Sequence, residues 1–217
     1  MSLYDRILGH PFVYHRVRPL VVGIDYTPQY EALDAHSDDR ILDIGCGGGD
    51  ALRYLGSFET YHGFDTDEVA ISFAKQRPEA KRPDVHFEAA LVSPATLQDI
   101  RPTRVMMNGL LHHLDDEAAV DLLRMCGATN TVERIVTNDT VYLAGEPLNN
   151  ILARLDRGRF VRRIEGYREL VARAGLTIVH EELVRSHATR GIARYLVMVL
   201  EPKGAIPVGG VVPTRSP

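Results

Sequence analysis

Two acids, three glycines and a pair of histidines stand in this chain where they could do chemistry. The run Ile41-Leu42-Asp43-Ile44-Gly45-Cys46-Gly47-Gly48-Gly49-Asp50 carries an apolar stretch, with an acid inside it, into a glycine-rich turn. Glycines at 45, 47 and 49 remove the Cβ atoms that would keep a bound molecule away from the backbone. Asp43, just before the turn, can accept hydrogen bonds from a cationic or hydroxylated ligand. A second acid, Asp65, ends the strand-like run Thr60-Tyr61-His62-Gly63-Phe64-Asp65. It follows Gly45 by about twenty residues, where an acid of a doubly wound fold binds a ribose. His112 and His113 come soon after the apolar run 104–108. An imidazole titrates near pH ~6.5 and can take a proton at neutral pH. Asp139 follows another apolar run, 134–138, and could face a substrate. Arg154, Arg157, Arg159, Arg162 and Arg163 could together bind a carboxylate, a phosphate or an anionic sugar, or form a solvated basic face.

The elements that must hold these groups alternate along the chain. Strand-like runs at 41–44, 60–65, 85–87, 104–108 and 134–138 are separated by helix-compatible segments, which implies a parallel sheet covered on both faces. Asp50–Leu55 reads as a helix with Leu52 and Leu55 inward. Asp67 reads as the N-cap of a helix over 68–77, with acids in its first turn, bases in its last and Pro78 beyond. Asp115-Asp116-Glu117 starts a helix with apolar positions at Ala118, Ala119, Leu122, Leu123 and Met125. Residues 147–163 form a basic, helix-compatible stretch. Tyr167–Ala174 is a further helix with Gly175 as its stop, and 176–183 and 193–200 read as two final strands. The fold class expected is α/β, a doubly wound, Rossmann-like and mostly parallel sheet.

Two cofactor classes compete for the glycine loop. A dinucleotide fingerprint, G-x-G-x-x-G, needs a third small residue where Asp50 stands, which disfavours a nicotinamide dehydrogenase. The acid and glycines at 43, 45, 47 and 49 form Asp-x-Gly-x-Gly-x-Gly, which resembles motif I of the class I S-adenosylmethionine-dependent methyltransferases. The resemblance covers roughly residues 36–200 and implies a seven-stranded sheet with an antiparallel last strand at 194–200. It also implies S-adenosyl-L-methionine as cofactor, held by Asp43, Gly45, Cys46, Gly47, Gly49, Asp65, Thr66, Ala90, Asn108 and Leu110. Ala90 departs from the acid or amide often found there for the adenine amino group. His113 aligns with the histidine of the family's fourth motif and His112 with the more variable position before it. Both are candidate bases, and some relatives use this histidine only to brace the loop. The Asn/Asp-Pro-Pro-Tyr/Phe motif of amino-directed nucleic-acid methyltransferases is replaced by Asn108-Gly109-Leu110-Leu111.

These features lead to methyl transfer to a small-molecule acceptor, at oxygen or nitrogen, with an anionic acceptor suggested by Arg159 and Arg162. The alternatives are an enzyme of this fold that binds the cofactor without transferring methyl, such as a cyclase or hydrolase, and a non-catalytic binding module. Residues 1–36 read as an N-terminal helical cap, from which Tyr14, His15 or Arg18 could reach the methionine carboxylate or the substrate. Residues 37–201 make the catalytic domain, an insertion at about 145–163 shapes the acceptor site, and 202–217 read as a flexible tail.

Composition sets the outer bounds. The chain has 217 residues, 45% hydrophobic and 25% charged, with a net charge of −4, which fits one globular domain and argues against nucleic acid as main partner. No run approaches the ~20 apolar residues of a membrane span, and residues 1–6 lack a secretory signal's apolar stretch. With only Cys46 and Cys126 there is no disulfide framework. We expect a cytoplasmic monomer or homodimer without a metal, since adjacent histidines lack the spacing of zinc ligands.

Overall fold

Ile41 and Leu42 are successive residues of one strand, so their side chains leave opposite faces of the sheet. Both are fully buried, each in a different hydrophobic cluster. The same alternation recurs at Ile135 and Val136. A strand apolar on both faces must lie inside a sheet covered on both sides. The computed structural model describes residues 27–156, 158–186 and 189–203, and the sheet they form meets this requirement.

The elements run α1 (Thr27–Leu33), β1 (Arg40–Ile44), β2 (Thr60–Asp65), α2 (Glu68–Lys75), β3 (Val85–Ala89), α3 (Pro94–Ile100), β4 (Arg104–Asn108), α4 (Asp116–Gly127), β5 (Arg134–Tyr142), α5 (Pro147–Leu155), β6 (Arg162–Arg163), α6 (Ile164–Ala174), β7 (Leu176–Arg185) and β8 (Arg194–Pro202). The main strands are ordered β3-β2-β1-β4-β5-β8-β7, and β6 pairs with the end of β5. All are parallel except β8, which runs antiparallel to both β5 and β7. This is the doubly wound sheet with one antiparallel strand expected from the sequence. Helices α3, α4 and α6 supply one cluster; α1 and α2 supply the other.

Local signals fix several element ends. Asp67 accepts from the Val69 and Ala70 amides and starts α2. Asp115 accepts from the Ala118 amide and starts α4. Gly175 ends α6 in the left-handed conformation, φ 79°. Tertiary context overrides other readings. Asp50–Arg53 is a single 3-10 turn instead of a helix reaching Leu55. A segment confined between Gly49 and Gly56 is too short to offset the cost of helix nucleation. The inner face of α4 is Ala119, Val120, Leu123 and Cys126, while Ala118 is exposed. The basic stretch is helical only over α5, then turns back to pair Arg162 and Arg163 with Val141 and Tyr142.

Candidate active site

Parallel strands bring their carboxyl ends to one edge, and the register here is direct: Asp43 lies beside Met106, Asp65 beside Ala89, and Asn108 beside Asn138. The glycine loop, Asp65, Ala90 and the histidine turn 111–113 therefore share the edge where ligands of open α/β sheets bind. The candidate site residues Tyr14 and His15 lie outside the described residues.

The loop is held open from several sides. Gly45, Gly47 and Gly49 all have positive φ, at 75°, 53° and 72°. A Cβ on Gly47 would meet nothing within 4 Å, so this glycine borders open space. Asp65 accepts from the Gly47 amide at 2.9 Å and from the Asp67 amide at 2.9 Å, which ties the loop to the end of β2. On the other side Arg77, just beyond α2, donates to the Gly48 carbonyl and to Asp50. Sequence reading missed this clamp, because nothing local links Arg77 to the loop. Gly49 packs on the ring of Phe87, 2.6 Å from where a Cβ would sit. Gly49→Ala should therefore cost about 2–3 kcal/mol, from left-handed strain plus overpacking. Urea denaturation measures this, and Phe87→Leu should restore part of the loss.

Asp43 is buried, and its Oδ2 accepts from the Tyr61 hydroxyl at 2.6 Å. Its Oδ1 has no protein partner. Burial pushes the carboxyl up to about 7; the Tyr61 hydrogen bond opposes this and the Asp65 charge adds to it. A buried acceptor atom left open beside a glycine cradle fits a ligand that brings a donor or a positive charge. Burial likewise raises the Cys46 thiol, which stays protonated. Ala90 is half-buried and Leu91 exposed, an apolar platform in place of a polar contact. Leu110 packs against Gly45, and Asn108 follows on the same edge with its Oδ1 buried and open.

The two histidines have different surroundings. His112 is 1% exposed. Its Nδ1 lies 2.7 Å from Asp139 Oδ1, and its Nε2 lies 3.3 Å from Asp156 Oδ1. Burial pulls its pKa down, but the hydrogen bonds and charges of the two carboxylates outweigh that and raise it to about 9. The raised pKa favours the imidazolium, held between two acids, over a neutral ring able to accept a proton. This corrects the reading of His112 as a base. It also corrects that of Asp139, which is 1% exposed and turned onto His112 instead of facing a substrate. His113 is exposed and its ring rests on that of His112, with centroids 4.3 Å apart. Ligand-capable atoms of His112, His113 and Asp156 lie within 4.8 Å of one another, a spacing that a metal ion could bridge only if His112 gave up its proton.

The segment after α5 straps this corner. The Phe160 amide donates to the His112 carbonyl at 3.0 Å, and Gly158 lies against the His112 ring so closely that a Cβ would overlap it. Arg162 donates through Nε and Nη2 to Asp116, through Nη1 to the carbonyls of Leu111 and Phe160, and through Nη2 to that of Leu114. Its five N–H groups are thereby used. Arg162 braces the histidine turn and has no donor left for an acceptor, contrary to its sequence reading. Arg159 is exposed.

Residues 41–129 match the family model described as a methyltransferase domain. No curated protein is similar enough to count as a relative. Among solved structures, geranyl diphosphate C-methyltransferase from Streptomyces coelicolor A3(2), in complex with Mg2+, geranyl diphosphate and S-adenosyl-L-homocysteine, superposes with a TM-score of 0.60 at 16% identity, over 80% of this chain and 79% of that one. The complex between the Haloferax volcanii Trm112 methyltransferase activator and a methyltransferase gives 0.64 at 14% identity, over 93% and 98%. Magnesium protoporphyrin IX methyltransferase from Synechocystis PCC 6803, with bound S-adenosylhomocysteine, gives 0.55 at 15% identity, over 94% and 88%. The strand order and the solved structures show the fold of the class I S-adenosylmethionine-dependent methyltransferases, and the matched segment, residues 41–129, is similar to a methyltransferase domain. Among the described residues no helix is long and apolar enough to cross a membrane.

Proposed function

We propose that this chain methylates a small-molecule acceptor at oxygen or nitrogen, at the carboxyl edge of β1, β2 and β4. The observation that carries the reading is the open loop at 45–49, fastened to Asp65 on one side and floored by the unpaired Oδ1 of Asp43. Gly45, Gly47, Asp65, Asn108 and Leu110 hold the cofactor, with Cys46, Gly49, Thr66 and Ala90 filling out its walls. When bound, S-adenosylmethionine supplies a methyl group made electrophilic by a sulfonium. The protein's part is alignment and exclusion of water, which can contribute about 7 kcal/mol or more to lowering the barrier. Asp43 in its ionised form favours a positive ligand. His113 takes the proton released from the acceptor's hydroxyl or amine, and the His112 imidazolium, fixed by Asp139 and Asp156, positions it. Two free thiols suit a reducing, cytoplasmic setting.

Asp65→Ala tests this directly. It removes a charged acceptor for the ribose and releases the Gly47 amide, so S-adenosylhomocysteine should bind about 1.5–3 kcal/mol more weakly by calorimetry. Wild-type protein given methyl-labelled cofactor and a metabolite extract should place label in a small molecule. Unchanged affinity in the variant, or wild-type protein that never binds S-adenosylhomocysteine, would falsify the assignment.

A further inference from the structure

Helix α5 is built inside out. Its buried face is polar or small: Asn149, part of Asn150, and Ala153. Asn149 donates to the Val141 carbonyl and accepts from the Arg194 amide, each at 2.8 Å. Asn150 accepts from the Leu143 amide and donates to the Leu143 carbonyl, both at 2.8 Å. Buried amides are tolerated only when hydrogen-bonded in this way. The large apolar residues point out instead: Leu148 is 60% exposed, Ile151 55% and Leu155 53%. Ile192 and Phe160 are exposed as well, on the loop before β8 and on the strap. A contiguous outward apolar face of this kind marks a binding surface.

What fits that face is set by its neighbours. Pro147, Ile151, Tyr142, Asn150 and Arg154 line a shallow depression of about 470 Å3. Arg154, Arg159 and Arg163 are exposed, and among the described residues no carboxylate pairs with them, in contrast to Arg162. The helix ends at Asp156, which touches His112, and Gly158 and Phe160 also lie against His112, so Arg154 in the last turn and Arg159 flank the histidine corner. We propose that this surface is the acceptor-binding wall and that the acceptor is an anionic amphiphile, with an apolar chain along Pro147 and Ile151 and a phosphate or carboxylate at Arg154 and Arg159. The inference rests on the methyltransferase reading of the same site and specifies its substrate class.

Decyl phosphate below its micellar concentration is a suitable probe, titrated by calorimetry into the full chain alongside decanol and inorganic phosphate. Decyl phosphate should bind at least about tenfold more tightly than either fragment, because only it satisfies both halves of the surface. Leu148→Gln with Ile151→Gln should weaken it about tenfold or more, and Arg154→Gln with Arg159→Gln should abolish its advantage over decanol. These side chains are exposed, so the variants keep the core intact. S-adenosylhomocysteine titrated in parallel reports on the cofactor site alone. Protein that takes S-adenosylhomocysteine but not decyl phosphate, or variants that bind decyl phosphate like wild type, overturns the inference and leaves the cofactor reading standing. So does co-sedimentation with phosphatidylglycerol vesicles without binding of monomeric decyl phosphate, which makes the face a membrane contact. So does a homodimer dissociated by the Leu148 and Ile151 changes, which makes it a subunit interface.

Discussion

Asp139→Ala should destabilise the protein by about 3–5 kcal/mol, the cost of leaving a buried charge without its closest partner. The carboxylate of Asp139 accepts at His112 Nδ1 and also from the His112 amide, so its loss loosens both the ring and the turn that presents His113. Asp156 remains, but at 3.3 Å and on a less buried side chain. Urea unfolding at pH 7 measures the change. A double-mutant cycle with His112→Gln identifies its origin: if the pair carries the effect, the two losses are strongly non-additive. The pH dependence has a definite sign. The folded-state pKa of His112 is raised from 6.5 to about 9. Its contribution is therefore fully present below about pH 6.5 and is lost as the pH climbs through about 9. Asp139→Ala should flatten wild-type stability over that interval. A variant within about 0.5 kcal/mol of wild type, with the same pH slope, would show that the pair is not an ion pair in solution.

What could be read from residue order was what neighbouring residues decide. Asp67, Asp115 and Gly175 lie beside the backbone groups they cap, so the ends of α2, α4 and α6 were legible. The glycine loop and Asp65 were legible because a strand end places its next residue at the sheet edge whatever packs around it. The surroundings of the histidines were not. Asp139 comes from β5 and Asp156 from the end of α5, and only the closed sheet brings both to one imidazole. Arg162 was misread for the same reason: five arginines in a short run signal an anion, but carbonyls of a distant turn consume this one. Periodicity groups the residues of α5 by face, yet it cannot say that asparagines, with backbone partners on β5 and β8, take the inner one.

The other large effect concerns the second histidine. With the cationic form of His112 favoured, the proposed reading assigns proton removal to His113, whose ring is exposed beside it. His113→Gln should lower kcat by roughly 10²–10⁴-fold, the usual contribution of a positioned base, with the acceptor recovered by methyl labelling. The affinity for S-adenosylhomocysteine should stay within about twofold, because none of the contacts proposed for the cofactor, from the glycine loop, Asp65, Asn108 and Leu110, uses the His113 side chain. This split separates a base from a brace. If His113 only supports the loop, glutamine should weaken cofactor binding and alter stability while leaving the pH dependence of kcat unchanged. If it is the base, kcat in the wild type should rise with pH through a single ionisation, and the variant should lose that ionisation. Asp139→Ala supplies the cross-check: by unfixing His112 it should depress kcat through the same corner, and in the His113→Gln background most of that further loss should vanish.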